Sequence, residues 1–432
     1  MFRTFANAFK IPDLRKKLLI TGLILVLYRI GACLPVPFVD ASTFTQQVEL
    51  YGNSAFSFLN LLSGNSFTQS TLFALGVSPY ITASIVLQLL AVVFPKIAGT
   101  GEEGQKRMQS LTRYVTVGIA LVTAIGYYVL LKNNNALMKG FDGIFYAIII
   151  VACFCAGSSL VMWLGEKINE HGIGNGISII LFANIISSTP ALINTLINSI
   201  KDEPLYGSIY TAGVAILMCA LIWLVIFISD SERRIPVQYA KKVVGRKMYG
   251  GQNTNLPIKL NMTGVMPMIF ASSLVSIPST IRMFVTPNKG GFWDKFFTAF
   301  TVDSWVYAVL TLILIIAFAY FYVAISFNPI EVSNNIQKNG GSIPGVRPGR
   351  ATSDFITKVL SRITFIGALY LAVIAVVPIV IQLVIGIFTS KYSIAAFAFG
   401  GSSIIIVVGV ILETVREIEA QMTMRHYKGF LE

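Results

Sequence analysis

The fold class that this sequence predicts is an all-α polytopic membrane protein. Three observations carry that reading: 55% of the 432 residues are apolar, only 12% are charged, and ten apolar runs, eight of them without a charged residue, follow one another along the chain. With a mean hydropathy of +0.72, hydrocarbon rather than water is the main solvent. A bilayer core about 30 Å thick takes roughly 20 apolar residues per helix. The runs lie at Leu18 to Pro35, Leu72 to Phe94, Tyr114 to Leu131, Gly143 to Leu164, Ile177 to Ile197, Ile209 to Ser229, Thr263 to Phe284, Val306 to Phe327, Thr364 to Ile387 and Ile394 to Leu412.

In chain order, residues 1–17 form a basic tail with five Lys and Arg. The first run has no small-residue cleavage site behind it and is followed by further spans, so it reads as a span rather than a removable signal peptide. Arg29 is the main charge inside a span, able to pair with a neighbouring helix or to snorkel. Phe56 to Leu62 is apolar but too short to cross a bilayer. It is either a re-entrant piece, tolerated where protein or a water-filled cavity surrounds it, or a surface-lying amphipathic helix.

The second run opens with Gly76-Val-Ser-Pro-Tyr-Ile-Thr-Ala-Ser84, and the seventh with Gly264-Val-Met-Pro-Met-Ile-Phe-Ala-Ser272; six of nine positions are identical. Each is the second span of a set of five. Because five is odd, two such halves have opposite orientations in the bilayer, the pattern of an inverted repeat with a pathway at its interface. A chance match between two apolar segments is the competing reading. The halves are residues 18–200 and 208–415, with a tail at 416–432.

Gly172-Ile-Gly-Asn-Gly176 lacks the Lys-Ser/Thr of a phosphate loop and reads as a tight turn between two spans. The connections at about 230–262 and 328–363 are longer than orientation requires and mark a cytoplasmic partner. Cys33, Cys153, Cys155 and Cys219 all fall inside spans, as small apolar residues rather than a disulfide or metal framework. Of the 33 Lys and Arg, 25 lie in the two tails and the even-numbered connections. The positive-inside rule therefore puts both termini in the cytoplasm.

Ion-coupled transporters place titratable groups within their spans. Here His171 and His426 fall in a loop and a tail, and Glu413 sits at a helix end. A small-solute secondary transporter, the alternative that also uses inverted repeats, lacks its carboxylates. A lipid-modifying enzyme would need convergent polar groups at one depth, whereas only scattered Ser, Thr and Asn are present. No catalytic residues, metal ligands or cofactor are indicated, and any energy source is external to the chain.

Several segments together resemble the SecY family. They are Arg29-Ile-Gly with Pro35-Val-Pro37; Gly76 to Ile81; Met162-Trp-Leu-Gly-Glu166 with Gly172 to Ser178; Arg234-Ile-Pro-Val-Gln-Tyr-Ala240; Pro344-Gly-Val-Arg-Pro-Gly349; and Phe399-Gly-Gly-Ser-Ser-Ile-Ile-Ile406. The resemblance implies two pseudo-symmetric inverted five-helix halves with a lateral gate between spans two and seven, and a protein-conducting channel in the bacterial cytoplasmic membrane. It places a pore ring on Val77, Ile81, Ile177, Leu181, Ile269 and Ile406. A plug at about 54–67 would use Phe56, Phe58, Leu59, Asn60, Leu61, Leu62 and Gly64, with Ser63-Gly64-Asn65 departing from the family's Ser-Gly-Gly. Gate positions are Thr82, Ile85, Gln88, Ser272 and Ser273. Lys241, Lys242, Arg246, Lys247, Arg347 and Arg350 would meet the SecA ATPase or the ribosome. The implied partners also include SecE, SecG, signal sequences of preproteins, membrane lipid and further insertion factors.

Overall fold

The computed structural model describes residues 8–50, 60, 62–94, 101–138, 140, 143–202, 204–239, 242–244, 247–249, 253–262, 264–281, 291–301, 304–388 and 401–428. It is mostly helical. In the first half the main helices are α1 (Pro12–Ala32), α2 (Ala41–Leu50), α3 (Ser78–Val93), α4 (Gly101–Asn133), α5 (Ile144–His171) and α6 (Gly176–Asp202). In the second they are α7 (Pro204–Asp230), α8 (Met266–Val275), α9 (Ile277–Ile281), α10 (Phe292–Ala299), α11 (Trp305–Ser326), α12 (Pro329–Lys338), α13 (Arg350–Phe388) and α14 (Gly401–Lys428). Among the described residues six helices are long and apolar enough to cross a membrane: α4, α5, α6, α7, α11 with its continuation, and α13.

The helices of the two halves contact one another in matching patterns. In the first half α3 packs on α4, α4 on α5, α5 on α6 and α1 on α5. In the second α8 packs on α11, α11 on α13, α13 on α14 and α7 on α13. Close approach is built in by small residues. A Cβ on Gly176 would fall 2.0 Å from the carbonyl oxygen of Gly165, so α5 and α6 meet backbone to backbone at their shared turn. That turn is held by Asn169 Oδ1, which accepts from Gly176 N at 2.7 Å, and by Asn175 Oδ1, which accepts from Ile177 N at 3.2 Å.

Two expected spans differ from their hydropathy runs. The run from Leu72 becomes helical only at Ser78, and the run from Thr263 only at Met266. Sixteen and ten residues rise about 24 and 15 Å, short of a bilayer core. Before α3 the chain is held in turns: Leu72 N donates to Leu34 O at 2.9 Å, Val36 N to Ser70 O at 3.2 Å, and Ser70 and Gly76 have φ of 49° and 54°. Apolar side chains there satisfy a hydropathy scan without forming a helix.

The all-α expectation is corrected by a small sheet. β1 (Glu232–Tyr239) pairs antiparallel with β4 (Asn253–Lys259), with Ile235 opposite Leu256, and β5 (Gly341–Ser342) adds to the other edge at Gln238 and Tyr239. A second ladder joins β2 (Lys242–Val244) to β3 (Lys247–Tyr249). Alternation drives this: Ile235 and Val237 are buried while Pro236 and Gln238 face out. Pro236 is tolerated in β1 because β5 pairs only beyond it, leaving that edge free at the proline. The two long connections thus share one core, in which Ile235, Val237 and Ile258 meet Ile336, Ile343 and Ile356.

Candidate functional site

The sequence repeat is also a repeat of backbone. Gly76 and Gly264 both have positive φ, at 54° and 62°. Val77 and Val265 cap α3 and α8 with φ/ψ of −90°/−9° and −92°/−7°, each followed by a proline in the first turn, Pro79 and Pro267. Ile81 N donates to Val77 O at 3.1 Å, and Ile269 N to Val265 O at 3.2 Å. Glycine at the first position supplies a left-handed turn, and proline pre-sets the first helical φ. The two short helices, α3 and α8, contact each other across the halves.

Val77, Ile81, Ile177, Leu181, Ile269 and Ile406 are all buried and belong to one apolar cluster contributed by α3, α6, α8 and α14. Their packing is not equivalent. A Cβ on Gly165 would sit 2.6 Å from Ile177 Cδ1, so Ile177 lies on α5 within the first half. Leu181 and Ile185, four residues apart on α6, are buried in the same cluster. Ile185 is followed by Ile186 in an apolar run, and nothing in the local sequence sets it apart from its aliphatic neighbours. Val265, the repeat partner of Val77, is buried there too, with Gly409 of α14 open to receive its Cγ1.

Along the α3 and α8 seam, Ile85, Ser272 and Ser273 are buried, and Thr82 and Gln88 are partly so. Thr82 Oγ1 donates to Ser78 O at 3.0 Å and Gln88 Nε2 to Ser84 Oγ at 3.1 Å, both within α3. Ser273 Oγ is buried with no hydrogen-bond partner. Beside the seam, a cavity of about 300 Å³ opens between α7, the end of β4, α8 and α14, lined among others by Val225, Asn261, Val265, Ile405 and Glu413. Arg416 closes its rim, donating to Ser229 O and Asp230 Oδ1 at 2.6 Å each.

Of the plug positions, Phe56, Phe58, Leu59 and Leu61 lie outside the described residues. Asn60, Leu62 and Gly64 are described. Asn60 Oδ1 accepts from Thr68 N and Oγ1 at 3.2 and 3.1 Å, and its Nδ2 donates to Asn65 Oδ1 at 3.1 Å. Asn65 has φ 69°, a left-handed conformation that asparagine tolerates best among non-glycine residues, which is how this chain accommodates its departure from Ser-Gly-Gly. Leu62 is buried in the central cluster, and its carbonyl accepts from Asn184 Nδ2 of α6 at 2.6 Å. Asn184 is a residue that the sequence alone does not single out, being one of two amides, with Asn194, inside the apolar run from Ile177 to Ile197.

The basic positions divide. Arg347 and Arg350 are exposed at the turn that follows β5, Lys242 and Lys247 belong to the β2 and β3 ladder, and Lys241 and Arg246 lie outside the described residues. The Arg347 turn is anchored by Thr352 Oγ1 donating to Arg347 O at 2.9 Å and Ser333 Oγ donating to Gly349 O at 2.8 Å.

The SecY family profile matches residues 71–415. The protein translocase subunit SecY of Streptomyces coelicolor is 43% identical over 447 residues, covering all of both chains. Among solved structures, one described as showing that the plug domain of SecY stabilises the closed state of the translocation channel has a TM-score of 0.66 at 19% identity, over 94% of this chain and 92% of that one. Sec61 in a canine ribosome-channel complex has a TM-score of 0.63 at 18% identity, over the same shares. These structural likenesses establish the fold.

Proposed function

The chain belongs to the SecY family, and from that premise we propose that it is a gated, passive conduit for unfolded preproteins crossing the bacterial cytoplasmic membrane. It is a channel subunit and not an enzyme. The observation that carries the reading is the matched pair of short helices, α3 and α8, each entered through a left-handed glycine and meeting across the halves beside a buried aliphatic cluster. Helices too short to span are tolerated where protein or a cavity surrounds their ends, and in inverted-repeat proteins they line the pathway.

In this reading ten spans form two inverted halves, with both termini cytoplasmic. The seam between α3 and α8, with Thr82, Ile85, Gln88, Ser272 and Ser273 along it, is the lateral gate through which apolar segments pass into lipid. Val77, Ile81, Ile177, Leu181, Ile269 and Ile406 form the constriction, all six drawn from one buried aliphatic cluster. Branched aliphatic side chains seal by dewetting and deform around a passing chain without binding it. The segment around Asn60 to Gly64 is the seated plug. SecE and SecG are the membrane partners, and SecA or a translating ribosome docks on the sheet and the Arg347 turn and supplies the energy. A signal sequence opens the gate only through differential affinity for the open state.

The test is photocrosslinking in native membranes, with a photoreactive residue at Ile81, Ile177 or Ile185 and a stalled, partly exported preprotein as bait. Crosslinks from Ile81 and Ile177 are expected, with Ile185 as the comparison position. Robust export with no crosslink from Ile81 would leave the fold standing and remove the constriction.

A further inference from the structure

The helix α10, Phe-Trp-Asp-Lys-Phe-Phe-Thr-Ala, carries its side chains in two sharply divided sets. At 100° per residue, Phe292, Trp293, Phe296 and Phe297, with Phe300 just beyond, fall within an arc of about 140°, and Asp294, Lys295 and Thr298 occupy the opposite side. The aromatic set is continuous: ring centroids are 5.9 Å apart for Phe292 and Trp293, 5.7 Å for Phe296 and Phe297, and 4.9 Å for Phe296 and Phe300. Phe297 is only 4% exposed, whereas Phe292, Trp293 and Phe296 are 77%, 61% and 39% exposed. Three large aromatic rings left outward on one short helix need an apolar solvent or partner.

The position of α10 identifies it. The helix packs against α11 at the end away from the sheet, since α11 runs from Trp305 near α10 to Ser326 beside α12 and β5, a rise of about 33 Å. Down that helix Trp305, Val306, Val309 and Ile313 are all more than half exposed, the outward stripe of a span. The aromatic face of α10 thus continues a surface that lipid covers, at the level where that surface ends. Eight residues rise about 12 Å, too little to enter the hydrocarbon lengthwise.

We propose that α10 is an in-plane anchor in the membrane-water interface on the non-cytoplasmic side, with Phe292, Trp293 and Phe296 inserted among the upper acyl chains and Asp294, Lys295 and Thr298 toward water. Its occupant is the bilayer itself. With one acidic and one basic residue the helix has no need of anionic lipid, so uncharged phosphatidylcholine suffices. Tryptophan and phenylalanine are suited to this depth, where the ring is buried and the indole N–H stays within reach of headgroups. The inference rests on the reading that α11 spans the bilayer.

The test uses the full chain with Trp163, Trp223 and Trp305 replaced by Phe, leaving Trp293 as the sole tryptophan, reconstituted in phosphatidylcholine vesicles. Nitroxide labels placed near the top of the acyl chain are expected to quench Trp293 emission about two-fold or more, labels near the chain end much less, and aqueous iodide little. Quenching by iodide alone would show a solvent-facing helix, and quenching by neither would show a face covered by protein; either result overturns the anchor. A sibling chain retaining Trp305 alone separates the two readings. If nitroxide fails to reach Trp305 as well, the spanning assignment of α11 fails with it. Loss of the shallow-quenched fraction in the otherwise unmodified chain on W293F provides a second measurement should the triple replacement misfold.

Discussion

Asn184 is a polar residue in an apolar run, and the structure gives it a specific partner, the Leu62 carbonyl 2.6 Å away. Replacing it with leucine keeps the branched shape, with bulkier ends, but leaves that carbonyl without the amide, a cost of about 1–3 kcal/mol for a buried acceptor. The cost falls only on the state in which the 60–64 segment is seated, so Asn184→Leu is expected to raise resting halide leak from proteoliposomes by roughly ten-fold. A wild-type leak in a variant of unchanged thermal stability would rule out this latch. The signal for Asn184 was present in the sequence, but an amide in a span, of which this run has a second in Asn194, is equally at home bridging two helices, and nothing local distinguishes the cases. Ile177 and Ile185 show the converse limit: both are aliphatic, both lie on α6 and both are buried in one cluster, so no local pattern separates them and only motif order nominates Ile177.

Among the elements, the α5 and α6 pair shows where backbone contact decides stability. At Gly176 an added methyl meets the Gly165 carbonyl, which cannot yield without separating the helices, whereas at Gly118 in α4 nothing lies within 4 Å. Gly176→Ala is therefore expected to cost about 1–3 kcal/mol, and Gly118→Ala to gain up to about 1 kcal/mol from helix propensity. Thermal unfolding midpoints in detergent should move in opposite directions. The helix α2 offers a pH test. The Asp40 carboxylate accepts from the Ser42 and Thr43 hydroxyls at 2.6 and 2.7 Å and from the Ser42 amide at 3.0 Å, and these bonds hold its pKa down to about 2. A depressed carboxyl stabilises above its ordinary value of 3.8 and loses that contribution as pH falls through about 2. Amide exchange at the start of α2 should stay protected down to about pH 4 and rise below it, and D40N should abolish that dependence. Long runs such as those of α5 and α11 were legible because hydrophobic length alone specifies them. The α3 and α8 starts were not, since apolar residues held in turns are indistinguishable by hydropathy from the first turns of a span.

At the scale of the molecule, the helical body and the sheet module are distinct objects joined by α7, α8, α11 and α13. The sequence announced the two long connections but treated them as separate loops. Their union in one sheet comes from the pairing of β1 with both β4 and β5, and the β1–β5 contacts join residues more than a hundred apart, which no local pattern encodes. The union has a mechanical consequence. A force applied at the exposed Arg347 turn is carried through Ser333, Thr352 and the shared Ile235, Ile336 and Ile356 core into the ends of α11 and α13, and α11 packs directly on α8, the helix proposed to form one side of the gate. A docking partner therefore needs no contact with the pore to bias it. In the proposed reading Arg347 meets an acidic motor surface or ribosomal phosphate, and reversing its charge removes that cation while leaving intact the turn's bonds, whose acceptors are main-chain oxygens. Arg347→Glu is thus expected to reduce motor- or ribosome-driven preprotein transport in reconstituted vesicles about ten-fold or more, with unchanged melting and unchanged signal-peptide-induced ion conductance. Loss of both transport and conductance would instead mean that Arg347 supports the channel's own open state, and drive and gating would then not be separable in this chain.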